Sequence, residues 1–179
     1  DGWYLRSDII WHKPNPMPES VTDRPTKAHE YLFLLSKSPR YFYDAGAIAE
    51  PVEVGNHPRT VFDNGPKQTP PGTSEHVGLR HFAGETRNKR SVWTVTTQPY
   101  SGAHFATFPP KLIEPCILAG SREGDTVLDP FAGAGTTGLV ALRHGRSFIG
   151  IELNPEYAEM ARERIRDDAP LLNVGAEAA

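Results

Sequence analysis

The sequence predicts an α/β protein with a parallel sheet, on three observations. From residue 108 onward, short apolar runs alternate with amphipathic segments of helical length. A glycine-rich turn, Asp129-Pro-Phe-Ala-Gly-Ala-Gly-Thr-Thr-Gly138, sits between one such strand and the helix after it. Two more apolar runs, Tyr4–Trp11 and Tyr31–Leu35, lie near the start, too short for helices and rich in Ile, Leu and aromatic residues.

In chain order, those two early runs read as buried strands joined by the polar, proline-rich stretch Lys13–His29. Residues 55–103 show no sustained periodicity, and Pro58, Pro66, Pro70 and Pro71 with five interspersed glycines break any regular element. A loop region of this length inside a compact domain marks function or mobility. Leu112, Ile113, Cys116, Ile117 and Ala119 then fit a helix opened by Pro109-Pro110 and closed by Gly120, with a kink expected at Pro115. Thr126-Val127-Leu128 reads as a buried strand ending at Asp129, Thr136–His144 as a helix closed by Gly145, and Ser147–Glu152 as the next strand. Tyr157, Met160, Ala161 and Ile165 mark the core face of a last helix, with Asn154 as N-cap and Pro155 at its first position. The organisation is therefore 1–54, a loop-rich 55–103, and 104–179.

Composition narrows the function classes. With 179 residues, 38% hydrophobic and 23% charged, the chain is neither a disordered acid tail nor a membrane span, for which ~20 consecutive apolar residues are needed. One cysteine supports no disulfide framework or Cys-rich zinc site, and the seven histidines form no metal-ligand spacing, so a reducing, cytoplasmic setting without metal is expected. The net charge of −3 conceals an asymmetry. Residues 55–111 carry 7 Lys/Arg against 3 Asp/Glu, and residues 112–179 carry 6 against 11. A phosphate-contacting surface belongs in the former.

Gly133, Gly135 and Gly138 satisfy G-x-G-x-x-G in the strand–turn–helix context that such a match requires. Glu152 ends the neighbouring strand 17 residues past Gly135, where a carboxylate can accept from ribose hydroxyls. A nicotinamide site places its first glycine directly after the strand, so that the helix N-terminus meets a pyrophosphate. Here Asp129-Pro130-Phe131 intervene, which suits an adenosine ligand with a positive centre and no phosphates. S-adenosylmethionine fits that description better than NAD, and a nicotinamide-dependent oxidoreductase is the rival enzyme class. A non-catalytic DNA- or cofactor-binding module is the rival outside catalysis.

The glycine turn followed by Phe148-Ile-Gly-Ile-Glu-Leu-Asn-Pro-Glu-Tyr157 resembles the cofactor motif of DNA amino-methyltransferases, which methylate N4 of cytosine or N6 of adenine. Asp8-Ile-Ile-Trp-His-Lys-Pro-Asn-Pro-Met-Pro-Glu-Ser-Val21, Asp23-Arg-Pro-Thr-Lys-Ala-His-Glu-Tyr-Leu-Phe-Leu-Leu-Ser-Lys37 and His104-Phe-Ala-Thr-Phe-Pro-Pro-Lys-Leu112 are similar to segments of the permuted β group of that family, in its order. The resemblance implies a class I S-adenosylmethionine-dependent methyltransferase fold: a mostly parallel twisted sheet with helices on both faces, here partial, with inserted recognition loops.

It further implies that Phe131, Gly133, Gly135, Thr136 and Thr137 wrap the methionine part of the cofactor. Asp129 lies beside it, Glu152 holds the ribose, and Phe108 and Pro109 close over it. Double-stranded DNA is the implied partner, together with a cognate restriction endonuclease where the enzyme has one. Residues 55–103 become the target-recognition region, with Arg59, Lys67, Arg80, Arg87, Lys89 and Arg90 as phosphate or guanine contacts against the plainer reading of a solvated charged loop. Lys13 and Asn15 are within reach of a phosphate or base edge. His29 reads equally as a group facing the target base and as a strand-edge histidine satisfied by backbone.

The family's Asp/Ser-Pro-Pro-Tyr/Trp motif is absent, since neither Gln98-Pro99-Tyr100 nor Phe108-Pro109-Pro110 supplies it. The chain is therefore expected to be the C-terminal part of a longer enzyme, without catalytic residues of its own and inactive alone. Pro16-Met-Pro-Glu-Ser20 leans toward cytosine N4, but the discriminating motif is the missing one. Cys116 follows a proline, as the nucleophile of cytosine-C5 enzymes does, yet it precedes the glycine turn and sits among Leu112, Ile113 and Ile117, so core packing is the expected role. Trp93 is expected to anchor its loop in the core. No serine stands in a nucleophile-elbow context.

Overall fold

The structure, a computed structural model, describes residues 2–52, 86–98 and 107–168. The elements are β1 (Tyr4–His12), β2 (His29–Ser36), β3 (Glu50–Pro51), β4 (Thr86–Arg87), β5 (Val92–Thr94), α1 (Pro110–Gly120), β6 (Thr126–Asp129), α2 (Thr136–Arg143), β7 (Ser147–Gly150) and α3 (Pro155–Asp168).

Among the described residues the strands form three hydrogen-bonded groups: β2-β1-β5, β3-β4 and β6-β7. β1 runs antiparallel to β2 and parallel to β5, and β6 runs parallel to β7. The early runs and Thr126–Asp129 are strands as expected, but none is buried throughout, and Leu128 is exposed. Tyr31, Phe33 and Leu35 share one face of β2 and are exposed, Phe33 to 60%. Alternation makes the reason plain: Trp11 and Ser36 turn inward, while nothing described covers the opposite face.

Two apolar clusters meet at α1. Ile117 joins Leu139, Val140 and Ala141, backed by Val127, Phe148 and Ile165. Leu112, one and a half turns earlier, joins Trp11 and Trp93. The two tryptophans are register neighbours across β1 and β5, 5% and 6% exposed. Each satisfies its indole N–H on a carbonyl at 2.7 Å, Trp11 on Val95 and Trp93 on Arg90. Trp93 is thus the anchor of its loop. Burial of an indole with its donor satisfied contributes on the order of 2–3 kcal/mol.

α1 continues through Pro115, its first turn tolerating Pro110 because the first helical N–H groups have no partner there anyway. It ends at Ser121, whose N–H and hydroxyl both donate to the Ile117 carbonyl. α2 is buried from Thr136 to Ala141, including the polar Thr136 and Thr137. Gly138 is required by contact: a Cβ there would lie 2.5 Å from the Phe148 ring. α3 starts on a cap in which Asn154 Oδ1 accepts the Glu156 N–H at 2.9 Å. Among the described residues no helix is long and apolar enough to cross a membrane.

Candidate cofactor-binding site

β6 and β7 pair in register, Asp129 opposite Gly150, so the segments leaving both strands emerge on one edge. Main-chain bonds lace them together: Ile151 N–H donates to the Asp129 carbonyl and Ala132 N–H to the Ile151 carbonyl, both at 2.9 Å. The turn then closes with Gly135 N–H on the Ala132 carbonyl at 2.8 Å. Gly135 takes φ +71°, a left-handed backbone that glycine adopts without strain, and α3 packs directly against it.

Two carboxylates organise the turn. Asp129 accepts the Phe131 N–H at 3.0 Å on Oδ1 and the Thr137 hydroxyl at 2.6 Å on Oδ2. Glu152 accepts the Asn154 N–H at 2.9 Å on Oε1 and the Gly133 N–H at 2.8 Å on Oε2. These bonds, that of Asn154 foremost, hold the Glu152 carboxyl below the usual carboxylate range.

Beside the turn lies a cavity of about 300 Å³. Five of the residues expected at a cofactor line it: Phe108, Phe131, Gly133, Thr136 and Glu152. Phe131 is 88% exposed among the described residues. The other four stand outside the lining. Asp129 and Thr137, bonded to each other, border a second groove of about 490 Å³ along β6, which Phe108 also touches. Gly135 lies against Ala161, and Pro109 is fully buried as the N-cap of α1.

Sequence reasoning did not name Thr107, Ala132 or Ala134 among the lining residues, and it had assigned two others, Tyr157 and Met160, to the core face of α3. Their signal was proximity: they follow Glu152 by one and two helical turns, on the stripe that also carries Ala161. Among the described residues no Lys, Arg or His lines this cavity. The N–H groups of Phe131 and Gly133 are already committed to the protein's own carboxylates. Among the described residues a pyrophosphate would meet the Glu152 carboxylate and no cation. An uncharged adenosine with a positive centre meets acceptors and aromatic surface instead.

A family model described as DNA methylase, of the N6/N4 type, matches residues 1–163. The chain belongs to this DNA methylase family. It is similar to the type II methyltransferase M.Cfr9I of Citrobacter freundii, 47% identical over 177 residues that cover 98% of this chain and 49% of that protein. It is also similar to M.XycI of Xanthomonas campestris pv. cyanopsidis, 51% identical over 166 residues, 93% of this chain and 46% of that one. Among solved structures, the M1.HpyAVI–SAM complex matches with a TM-score of 0.58 at 25% identity, over 92% of this chain and 63% of that chain. The chain thus spans about half the length of the curated relatives it matches.

The candidate DNA contacts fall into three groups. Arg59, Lys67 and Arg80 lie outside the described residues. Arg87, Lys89 and Arg90 converge on Glu50, at 3.4, 3.9 and 3.2 Å. Burial opposes the Glu50 charge, but the bonds from Arg90 and the charges of Arg90 and Lys89 outweigh it and lower the carboxyl's pKa. Lys13 pairs with Glu30 and lies 4.4 Å over the Trp11 ring. Asn15 accepts the Thr97 N–H at 3.0 Å, and His29 meets Tyr31 edge-on at 5.1 Å between ring centres.

Cys116 packs beside the Trp11–Trp93–Leu112 cluster, and burial pushes its thiol up to about 11, which rules out a resting thiolate. Among the described residues no group of three His, Cys, Asp or Glu could hold a metal ion.

Proposed function

We propose that this chain is the cofactor-binding part of a DNA amino-methyltransferase that carries methyl from S-adenosylmethionine to N4 of cytosine or N6 of adenine. The observation that carries the reading is a cavity lined by the glycine turn and Glu152, with no Lys, Arg or His among its described lining residues, in a chain of the DNA methylase family.

The residues fit the cofactor by their chemistry. A carboxylate offers about four lone-pair positions, and Glu152 uses one on each oxygen for Gly133 and Asn154. The remaining lone-pair capacity of the carboxylate suits the hydroxyls of a ribose. Phe108, Phe131, Tyr157 and Met160 supply apolar and aromatic surface for the adenine and the sulfonium, and the backbone of the turn receives the amino-acid part. When bound, S-adenosylmethionine supplies a methyl group activated by positive sulfur. Phe108 and the α3 side chains Tyr157 and Met160 line the site and would shield bound cofactor from water.

The acceptor side needs a base flipped from the duplex and an acidic or seryl Pro-Pro-aromatic motif to orient its amine. The motif is not in this chain, so the chain alone binds the donor without transferring it. Residues 55–103 would read the DNA, with Arg87, Lys89 and Arg90 at its phosphates. Calorimetry with S-adenosylmethionine and with NAD tests the reading. Binding of the first without the second is expected, and tighter NAD binding would overturn it.

A further inference from the structure

The glycine turn is held by three side chains, and of these only Glu152 lines the cavity. Asp129 and Glu152 hold it at the strand ends. The third hold comes from α3: Arg164 Nη1 donates to the Ala134 carbonyl at 3.0 Å and to Thr136 Oγ1 at 2.9 Å. Arg164 does not line the cavity.

The Ala134–Gly135 peptide lies between Gly133 at φ +50° and Gly135 at φ +71°, where the backbone is softest and a peptide flip meets least resistance. That peptide is pinned at both ends, its carbonyl by Arg164 and its N–H by the Ala132 carbonyl. By accepting from Arg164, Thr136 Oγ1 keeps its own proton free to donate, and Thr136 lines the cavity. The same face of α3 carries Tyr157 and Met160 in the cavity wall and Ala161 against Gly135. Arg164 is the next residue of that stripe, at i+7 from Tyr157. Its charge also lowers the Asp168 carboxyl, which Arg143 at the far end of α2 holds chiefly by hydrogen bonding. α3 therefore braces α2 at both ends.

We infer that Arg164 is a positioning residue: it locks the Ala134–Gly135 peptide and the Thr136 hydroxyl into the cradle for the amino-acid part of the cofactor, without touching the cofactor. The inference rests on the S-adenosylmethionine reading above, and its test separates the two. The wild-type chain, Arg164→Met and Arg164→Lys are titrated with S-adenosylmethionine and with 5′-methylthioadenosine, which shares the adenosine and sulfur but has no amino-acid part. Thermal melts confirm folding, and Arg164→Gln replaces Arg164→Met if the latter does not fold.

Arg164→Met is expected to lose about tenfold in affinity for S-adenosylmethionine, the size of roughly one net charge-assisted hydrogen bond. It should keep its affinity for 5′-methylthioadenosine. Arg164→Lys, whose ammonium can donate to the same two oxygens, should recover most of the loss. Equal loss for both ligands, or loss for neither, overturns the role of Arg164 while leaving the cofactor reading intact. A wild-type chain that binds neither ligand overturns the cofactor reading and Arg164 with it.

Discussion

Replacing Gly135 with alanine tests whether the turn and α3 form one packed unit. At φ +71° an L residue pays roughly 1–2 kcal/mol for the left-handed backbone. The new methyl group would also sit 2.9 Å from the Ala161 Cβ and 3.2 Å from its Cα, inside normal contact. Relieving that overlap means moving α3, at about 1–3 kcal/mol for an overpacked site. Gly135→Ala should therefore lose about 2–5 kcal/mol, a fall in Tm of roughly 4–20 °C for a chain this size. Denaturant unfolding reads the loss directly. Ala161→Gly alone should cost about 1 kcal/mol as a helix-interior glycine. In the double variant the Cβ–Cβ overlap disappears while the backbone strain remains, so the combined loss should fall short of the sum by about 1–3 kcal/mol. Strict additivity, or a Gly135→Ala variant as stable as wild type, would show that α3 does not rest on this turn in solution.

Other perturbations test the site and its surroundings. Glu152→Ala should weaken S-adenosylmethionine binding by at least about tenfold in calorimetry, because the ribose loses its charged acceptor and Gly133 N–H its partner; unchanged affinity would remove Glu152 from the site. The Glu152 and Asp168 carboxyls titrate below their ordinary values, so they stabilise the fold above the normal carboxylate range and lose that contribution as pH falls through their lowered values. Glu152→Gln should flatten the acid limb of a stability–pH curve, and an identical limb would mean its bonds to Asn154 and Gly133 do not persist. Cys116 should react with iodoacetamide near neutral pH far more slowly than an exposed cysteine; rapid labelling would place it outside the core. In the full-length protein, neutralising Arg87, Lys89 and Arg90 should lower the salt-dependence slope of DNA binding by about 2, since Glu50 already offsets part of their charge. An unchanged slope would move the DNA contact elsewhere.

What the sequence determined by itself is local. The strand, glycine turn, helix and following strand from Thr126 to Gly150 were legible because each is specified by neighbours within a few residues: β-branched and aliphatic runs, glycines at fixed offsets, and Asn154 capping α3. The acid at the strand tip was legible for the same reason, since parallel pairing carries Glu152 to the same edge as the turn. Tertiary structure decided everything that depends on where distant segments meet. Periodicity put Tyr157 and Met160 on an inward stripe, but only the packing of α3 shows that this stripe borders a cavity at one end and braces the turn through Arg164 at the other. Charge composition marked Arg87, Lys89 and Arg90, but not Glu50, some forty residues earlier, as their common partner. The apolar pattern of β2 marked Tyr31, Phe33 and Leu35 as inward residues, yet they stand exposed. Hydrophobicity states that a face gains free energy when covered, whereas which element covers it depends on the path of the chain.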